Sequence, residues 1–335
     1  MISVLGETCF QSLFKLALTG LLLLSLPCHG EIIHQRMTNG LLASAEYLDS
    51  GSDESPILIL HGFLQTRDFF TVRRIADALH DDGHTVLLPN LSLGIEQRSQ
   101  SLACEAIHTH NMEQDRDEVA LWVNWLSQKT SKPVTLIGHS IGSLTLLAYL
   151  HESPSNSTIK QSILVSLIAF SQGPIAKENL AEKYRAEKDF KADKNGIHNY
   201  RLAYCDIYPT RPDHYLSYLR WDQSLVTEAL LGLTKKPSII LGSKDNRLSP
   251  EWKPLLNKIK ANVIEIEDAN HFFDHAHEFD LFETQASLRS RDAFWDIRVP
   301  QKHSTFDSLL CPDRPAYVTI PYCTNAASCW CTTPS

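Results

Sequence analysis

The chain of 335 residues reads as one large α/β domain: a mainly parallel central sheet with helices on both faces, interrupted by a helical cap insertion. Three observations predict this. Short, uniformly apolar runs recur along the chain, as strands covered on both sides require. Segments of helical period lie between those runs, and such alternation builds parallel βαβ units. Finally, the strand-like run at 133–137 passes through Gly138-His139-Ser140-Ile141-Gly142 into an apolar segment, 143–150, that reads as a buried helix. A strand that turns into a helix this sharply forces the middle residue into strained backbone angles. It lifts the serine hydroxyl to the carboxyl end of the sheet, beside the positive end of the next helix.

Taken in order, residues 31–48 mix polar and apolar side chains and supply one or two edge strands. The run Asp49-Ser-Gly-Ser-Asp-Glu-Ser55 is a loop by composition. A buried strand follows at 56–60 and leads into His61-Gly62-Phe63-Leu64. Val72, Ile75, Ala76 and Leu79 keep the i, i+3, i+4, i+7 spacing, which predicts a helix over 68–79 that ends at Asp81-Asp82-Gly83. The next strand is 85–88, and 90–112 is a long irregular segment holding Cys104, His108 and His110. Val119, Trp122, Val123 and Leu126 mark another helix behind an acidic start at 113–118. After the central strand and its helix, 162–170 reads as a further buried strand.

The alternation then stops. From 174 to 236 the chain is rich in Lys, Glu, Tyr and Asp. Residues 176–194 read as a solvated helix, and Tyr200, Tyr204, Tyr208, Tyr215, Tyr218 and Trp221 follow. This stretch is expected to be an insertion over the carboxyl edge of the sheet, with its aromatic residues either lining a pocket or packing the insertion onto the body. Alternation resumes with a strand at 237–241, a helix near 251–260, a strand at 262–266 and a helix over roughly 275–294. The expected organisation is thus a signal peptide at 1–30, a core formed by 31–173 and 237–297, a cap at 174–236 and a cysteine-rich tail at 298–335.

Hydrophobic residues make up 43% of the chain, enough for a large core, and the formal net charge is -8. With no Lys/Arg run, nucleic acid is not expected as a partner. Near the amino end, Lys15 precedes an apolar run at 16–26 and then Pro27-Cys28-His29-Gly30, the layout of a signal peptide. The run is short for a bilayer, so export to the periplasm or the medium is expected, with no stable membrane span after cleavage. A leader-anchored or lipoprotein form at Cys28 is the alternative; Pro27 is bulky for a lipid-attachment site. Loss of the leader removes Cys9 and Cys28. Cys104, Cys205, Cys311, Cys323, Cys329 and Cys331 remain, an even set that an oxidising compartment would pair into as many as three disulfides.

A serine hydroxyl is a weak nucleophile and needs a base within hydrogen-bond reach, itself oriented by a third group. Asp245 follows one late strand in Leu241-Gly242-Ser243-Lys244-Asp245, and His271 follows the next in Asp268-Ala269-Asn270-His271-Phe272-Phe273. The order Ser140, Asp245, His271 is one of the known arrangements of a serine nucleophile with its acid and base.

On these motifs, residues 56–290 resemble the α/β-hydrolase fold superfamily. The stretch from Leu91-Ser-Leu-Gly94 through His108-Thr-His110 is similar to a group of uncharacterised bacterial members. The resemblance implies that His271 deprotonates Ser140 for attack on an acyl carbonyl while Asp245 orients the imidazole. It also implies an oxyanion hole made by the main-chain N–H groups of Phe63 and Ile141. The alternatives weighed are Asp268 or Asp274 as the acid, His275 or His277 as the base, and Leu64 for Phe63. His61 is expected to shape the oxyanion loop and not to act as a base. His108-Thr-His110 lacks the third ligand a metal would need.

The implied activity is hydrolysis of a small-molecule or lipid acyl ester, carboxylic or thio-, with no cofactor and no metal. An acyltransferase using the same acyl-enzyme and a non-catalytic binding protein are the competing readings. A dehalogenase would need an Asp where Ser140 stands.

Overall fold

The computed structural model describes residues 30–171, 176–193, 195–274, 280–281 and 284–285. An eight-stranded sheet runs through it in the order β1-β2-β4-β3-β5-β6-β9-β10. Its strands are β1 (Glu31–Arg36), β2 (Leu42–Leu48), β3 (Ile57–Leu60), β4 (Val86–Asn90), β5 (Val134–His139), β6 (Ile159–Val165), β9 (Ser238–Gly242) and β10 (Asn262–Ile266). From β4 to β10 every neighbouring pair is parallel, while β1 and β2 form the antiparallel edge. The polar and apolar mixture at 31–48 therefore becomes two edge strands, as expected.

The parallel strands send successive side chains to opposite faces, and both faces are covered. Leu58 and Leu60 of β3 join Leu136, Leu164 and Ile239 in one cluster, with Trp122 of α2 (Met112–Thr130) and Leu144 of α3 (Ile141–Glu152). Ile57 and Ile59 join Ile137, Ile163 and Ile240 in the other, against Val72, Ile75, Ala76 and Leu79 of α1 (Phe70–Asp81). These four α1 residues are the ones whose spacing predicts the helix. Full burial of each such side chain contributes about 1.5–3 kcal/mol, so the central strands are held from both sides.

Two features differ from the sequence expectation. The strand predicted over 162–170 begins earlier and ends at Val165. Ser166 takes a left-handed backbone (φ 50°), and its N–H bonds the Ile240 carbonyl at 2.8 Å. The apolar residues after it therefore leave the sheet and become the wall of a cavity. The insertion contains the helix expected in its first part, α4 (Ala176–Asp193), and two further helices in its second part, α5 (Pro212–Leu219) and α6 (Gln223–Gly232). It also holds an antiparallel hairpin, β7 (His198–Leu202) with β8 (Cys205–Thr210). Helix α7 (Trp252–Lys258) precedes β10.

Of the aromatic series, Tyr200, Tyr208, Tyr215, Tyr218 and Trp221 are buried and pack the insertion onto the body, whereas Tyr204 is half exposed at the hairpin turn. A disulfide joins Cys104 of the long 90–112 segment to Cys205 of β8. The same segment is tied to the hairpin by His108 N–H to the Pro209 carbonyl at 2.8 Å. The other four cysteines, the leader, the tail and most of the helix expected at 275–294 lie outside the described residues. Among the described residues no helix is long and apolar enough to cross a membrane.

Candidate active site

The turn between β5 and α3 places Ser140 at φ 57° and ψ -123°, a conformation that costs a non-glycine residue about 1–3 kcal/mol. The strain persists because its surroundings leave no alternative. A Cβ on Gly138 would sit 2.7 Å from the Ser143 nitrogen. The Ser143 hydroxyl clamps the same turn, its one hydrogen shared between the carbonyls of Gly138 (2.7 Å) and Val165 (2.8 Å). Ser140 therefore stands at the amino end of α3, with its side chain facing the cavity.

His271 reaches it from the loop after β10. Its Nε2 lies 2.9 Å from Ser140 Oγ, and its Nδ1 lies 2.7 Å from Asp245 Oδ2. With Nδ1–H donating to the carboxylate, Nε2 is left as the acceptor for the serine hydroxyl. All three residues are buried. The other Asp245 oxygen accepts the Arg247 N–H at 3.0 Å, so the carboxylate cannot swing away from the imidazole without breaking a second bond. The three residues that the sequence places far apart thus form one continuous hydrogen-bonded chain. Asp268 instead pairs with Lys244 at 2.6 Å, and Asp274 accepts from Asn270 at 3.0 Å. His275 and His277 lie outside the described residues.

Two residues that hold this arrangement escape sequence reasoning. His139 donates from Nε2 to the His271 carbonyl at 2.9 Å, and the Ser166 hydroxyl donates to the same oxygen at 2.8 Å. His139 was visible only as the variable position of a five-residue motif, and Ser166 as one polar residue in an apolar run. Neither carries a local signal, because their partner is more than a hundred positions away.

The His61-Gly62-Phe63 loop after β3 has its own support. His61 donates from Nδ1 to the Gly62 carbonyl (2.9 Å), and its Nε2 receives Arg98 (3.1 Å) and the Leu91 N–H (3.3 Å). This is the structural role expected of it. Phe63 and Ile141 both line the cavity beside Ser140, and Leu64 takes a left-handed backbone (φ 57°) as the loop turns. His108 and His110 serve packing and the cap. His108 stacks on Tyr208 with ring centroids 3.9 Å apart, and His110 Nδ1 meets Asp115 (3.2 Å) and the Tyr218 hydroxyl (2.6 Å). Among the described residues no group of three potential metal ligands comes together.

Burial pushes both His61 and His139 down to about 3, with Arg98 adding to the effect at His61 and His271 at His139. Both are therefore neutral in the fold, while unfolding returns each to near 6.5. Below that pH the unfolded chain binds protons that the native state refuses. Stability must then fall as pH drops from 6.5 toward 3, by up to about 1.4 kcal/mol per pH unit for each imidazole. Urea unfolding at about pH 6.5 and about pH 5, above the range where most carboxylates titrate, is expected to show this loss. Equal stability at the two pH values would contradict the buried neutral imidazoles.

The cavity has a volume of about 320 Å³ and is open to solvent. It is lined by Ile168, Ala169 and Phe170 after β6, by Ala203 and Tyr204 of the hairpin turn, and by Phe63, Phe272 and Arg247. The 168–170 wall is held by Trp252, whose Nε1 donates to the Leu167 carbonyl at 2.9 Å, and by Phe170 N–H to the Trp221 carbonyl at 3.0 Å.

The mainly parallel sheet with its sharp strand-to-helix turn at Ser140 has the α/β-hydrolase fold. Comparison with known proteins agrees. Residues 55–167 match the family model described as alpha/beta hydrolase fold. The α/β hydrolase GrgF from Penicillium sp. sh18 superposes with a TM-score of 0.61 at 13% identity, covering 79% of this chain and 99% of its own. Est1E from Butyrivibrio proteoclasticus gives 0.55 at 16% identity, covering 77% and 97%. The thioesterase domain from the curacin biosynthetic pathway gives 0.51 at 17%, covering 78% and 99%. At such identities the likeness establishes the fold. No curated protein matches the chain by sequence.

Proposed function

We propose that the protein is a serine hydrolase of carboxylic esters, thioesters included, that works through an acyl-enzyme on Ser140. The observation that carries this reading is the Ser140–His271–Asp245 hydrogen-bonded chain opening onto an apolar cavity. His271 Nε2 takes the hydroxyl proton as Oγ attacks the acyl carbon. The imidazolium is stabilised by the Asp245 carboxylate. The oxyanion is received by the N–H groups of Ile141 and Phe63, each such donor being worth about 3 kcal/mol of barrier. Collapse breaks the bond to the alcohol or thiol, which departs with the proton from His271. Water, deprotonated by the same nitrogen, then attacks the acyl-enzyme, and the acid leaves as Ser140 recovers its proton.

The fold shared with an esterase and a thioesterase supports the reaction class. Export to an oxidising compartment belongs to the same proposal and is supported by the Cys104–Cys205 disulfide.

The test is covalent labelling. A fluorophosphonate probe incubated with the folded mature protein is expected to modify Ser140, identified by peptide mass, and to leave Ser140→Ala unmodified. Folded protein that takes up no label would count against the serine mechanism.

A further inference from the structure

The cavity wall carries one feature that ester cleavage itself does not use. Apart from Ser140 and His271, the described residues of the lining are apolar except for Gln65, Tyr204, Asn246 and Arg247. Gln65 is engaged by the Gly62 N–H at 3.2 Å, and the Tyr204 hydroxyl donates to the Phe63 carbonyl at 3.1 Å. Among the described residues that line the cavity, Arg247 is the only permanently charged side chain.

The surroundings of Arg247 differ from those of most other arginines in the fold. Arg73, Arg116, Arg201, Arg211 and Arg220 each lie within ion-pair distance of a carboxylate, in a chain of net charge -8. Arg247 has no such partner among the described residues. Its guanidinium instead lies 4.8 Å from the Phe272 ring centroid and 5.8 Å from that of Tyr204. Stacking of this kind holds a guanidinium by its face and leaves its N–H edge free for a planar, two-oxygen acceptor. The position is also tied to the chemistry. The main-chain N–H of Arg247 donates to Asp245 Oδ1, while Oδ2 of the same carboxylate holds His271. Phe272, the main stacking surface, is the residue after His271.

We propose that Arg247 receives a carboxylate carried by the substrate, so that the preferred substrates are esters bearing a second, ionised acid group. The inference rests on the serine hydrolase reading. An acidic ester would place its apolar chain against the cavity walls and its anion on Arg247, which has no carboxylate partner among the described residues. A charge-assisted pair with two parallel bonds, partly shielded by the aromatic rings, is among the stronger polar contacts available.

The experiment compares matched neutral and anionic esters. Monomethyl glutarate against methyl pentanoate tests an anion on the acyl side. The 3-carboxyphenyl ester of butyric acid against phenyl butyrate tests the alcohol side. In Arg247→Gln the ratio of kcat/KM for the anionic over the neutral member is expected to fall roughly tenfold in one of the pairs, the scale of a lost charge-assisted bond. Arg247→Lys should fall less, because a point charge keeps attraction but loses the fork. Ratios unchanged in both pairs would overturn the proposal.

A second readout is independent of turnover. Calorimetric titration of Ser140→Ala with monomethyl glutarate and with 3-carboxyphenyl butyrate is expected to show saturable binding of at least one, weakened roughly tenfold when Arg247→Gln is added. If the wild type cleaves none of the four esters while this Arg247-dependent binding persists, the hydrolase reading fails and the anion site stands. No binding of either compound, or binding indifferent to Arg247→Gln, removes the anion site.

Discussion

Replacing Ser140 with alanine is expected to lower kcat for ester hydrolysis by about ten-thousandfold or more, and His271→Ala by a similar factor. The double variant should be no slower than either single one. The reason is geometric. Ser140 Oγ and His271 Nε2 are 2.9 Å apart, so the imidazole acts on the hydroxyl and on little else. Once either is gone, the other has no partner to activate. Asp245→Asn belongs to the same cycle. Its side chain is fully buried against Nδ1 at 2.7 Å, and an amide there can turn its N–H toward the ring and reverse the tautomer. A loss approaching ten-thousandfold is expected with the fold intact. The measurement is steady-state hydrolysis of a chromogenic ester by purified variants, corrected for spontaneous hydrolysis. Losses that multiply in the double variant would mean that the two residues act separately, and substantial turnover by Ser140→Ala would remove the acyl-enzyme.

Much of this arrangement was legible in the sequence, for a physical reason. Ser140, Asp245 and His271 each follow an apolar strand, and strands of a parallel sheet deliver their carboxyl ends to one edge. Local pattern plus chain order therefore predicts the convergence of Ser140, Asp245 and His271. The helix α1 is legible for the same kind of reason, since Val72, Ile75, Ala76 and Leu79 share one face that must be buried.

What stayed hidden depends on contacts between distant segments. The strand expected to reach Phe170 ends at Val165 because Ser166 turns into the left-handed region (φ 50°): its N–H makes the last bond to Ile240 of β9, and its hydroxyl donates to the His271 carbonyl. An apolar run looks the same whether it lies in a sheet or lines a cavity. The hairpin β7–β8 was masked by a composition of tyrosines and charges. Its register depends on the disulfide at Cys205 and on the bonds that His108 makes to its second strand. The sequence leaves the role of Tyr204 open between pocket and packing. The answer follows from its place at the hairpin turn, which brings its hydroxyl to Phe63 while its tyrosine neighbours are buried beneath it.

The same logic of close approach predicts the effect of one added methyl group at the other end of the elbow motif. In Gly142→Ala, the new Cβ would run into the carbonyl oxygen of His61 and stand 2.7 Å from that of Leu60. Both are main-chain atoms at the end of β3, in the middle of the sheet, so neither can turn aside as a flexible side chain would. The methyl group is expected to cost about 1–3 kcal/mol of stability, as overpacking in a tight core does.

Any relief must push the His61-Gly62-Phe63 turn outward, carrying the Phe63 N–H away from the oxyanion. The loss in kcat should then approach the factor of roughly a hundred to a thousand that one misplaced donor costs. Gly232→Ala is the control: it lies at the end of α6, and an added Cβ meets nothing within 4 Å. There alanine is expected to leave stability unchanged or raise it slightly, because it restricts the unfolded chain. Thermal unfolding and kcat measured on both variants separate the two effects. A Gly142→Ala protein with native stability and native kcat would show that α3 does not press on the oxyanion loop as tightly as the backbone distances require.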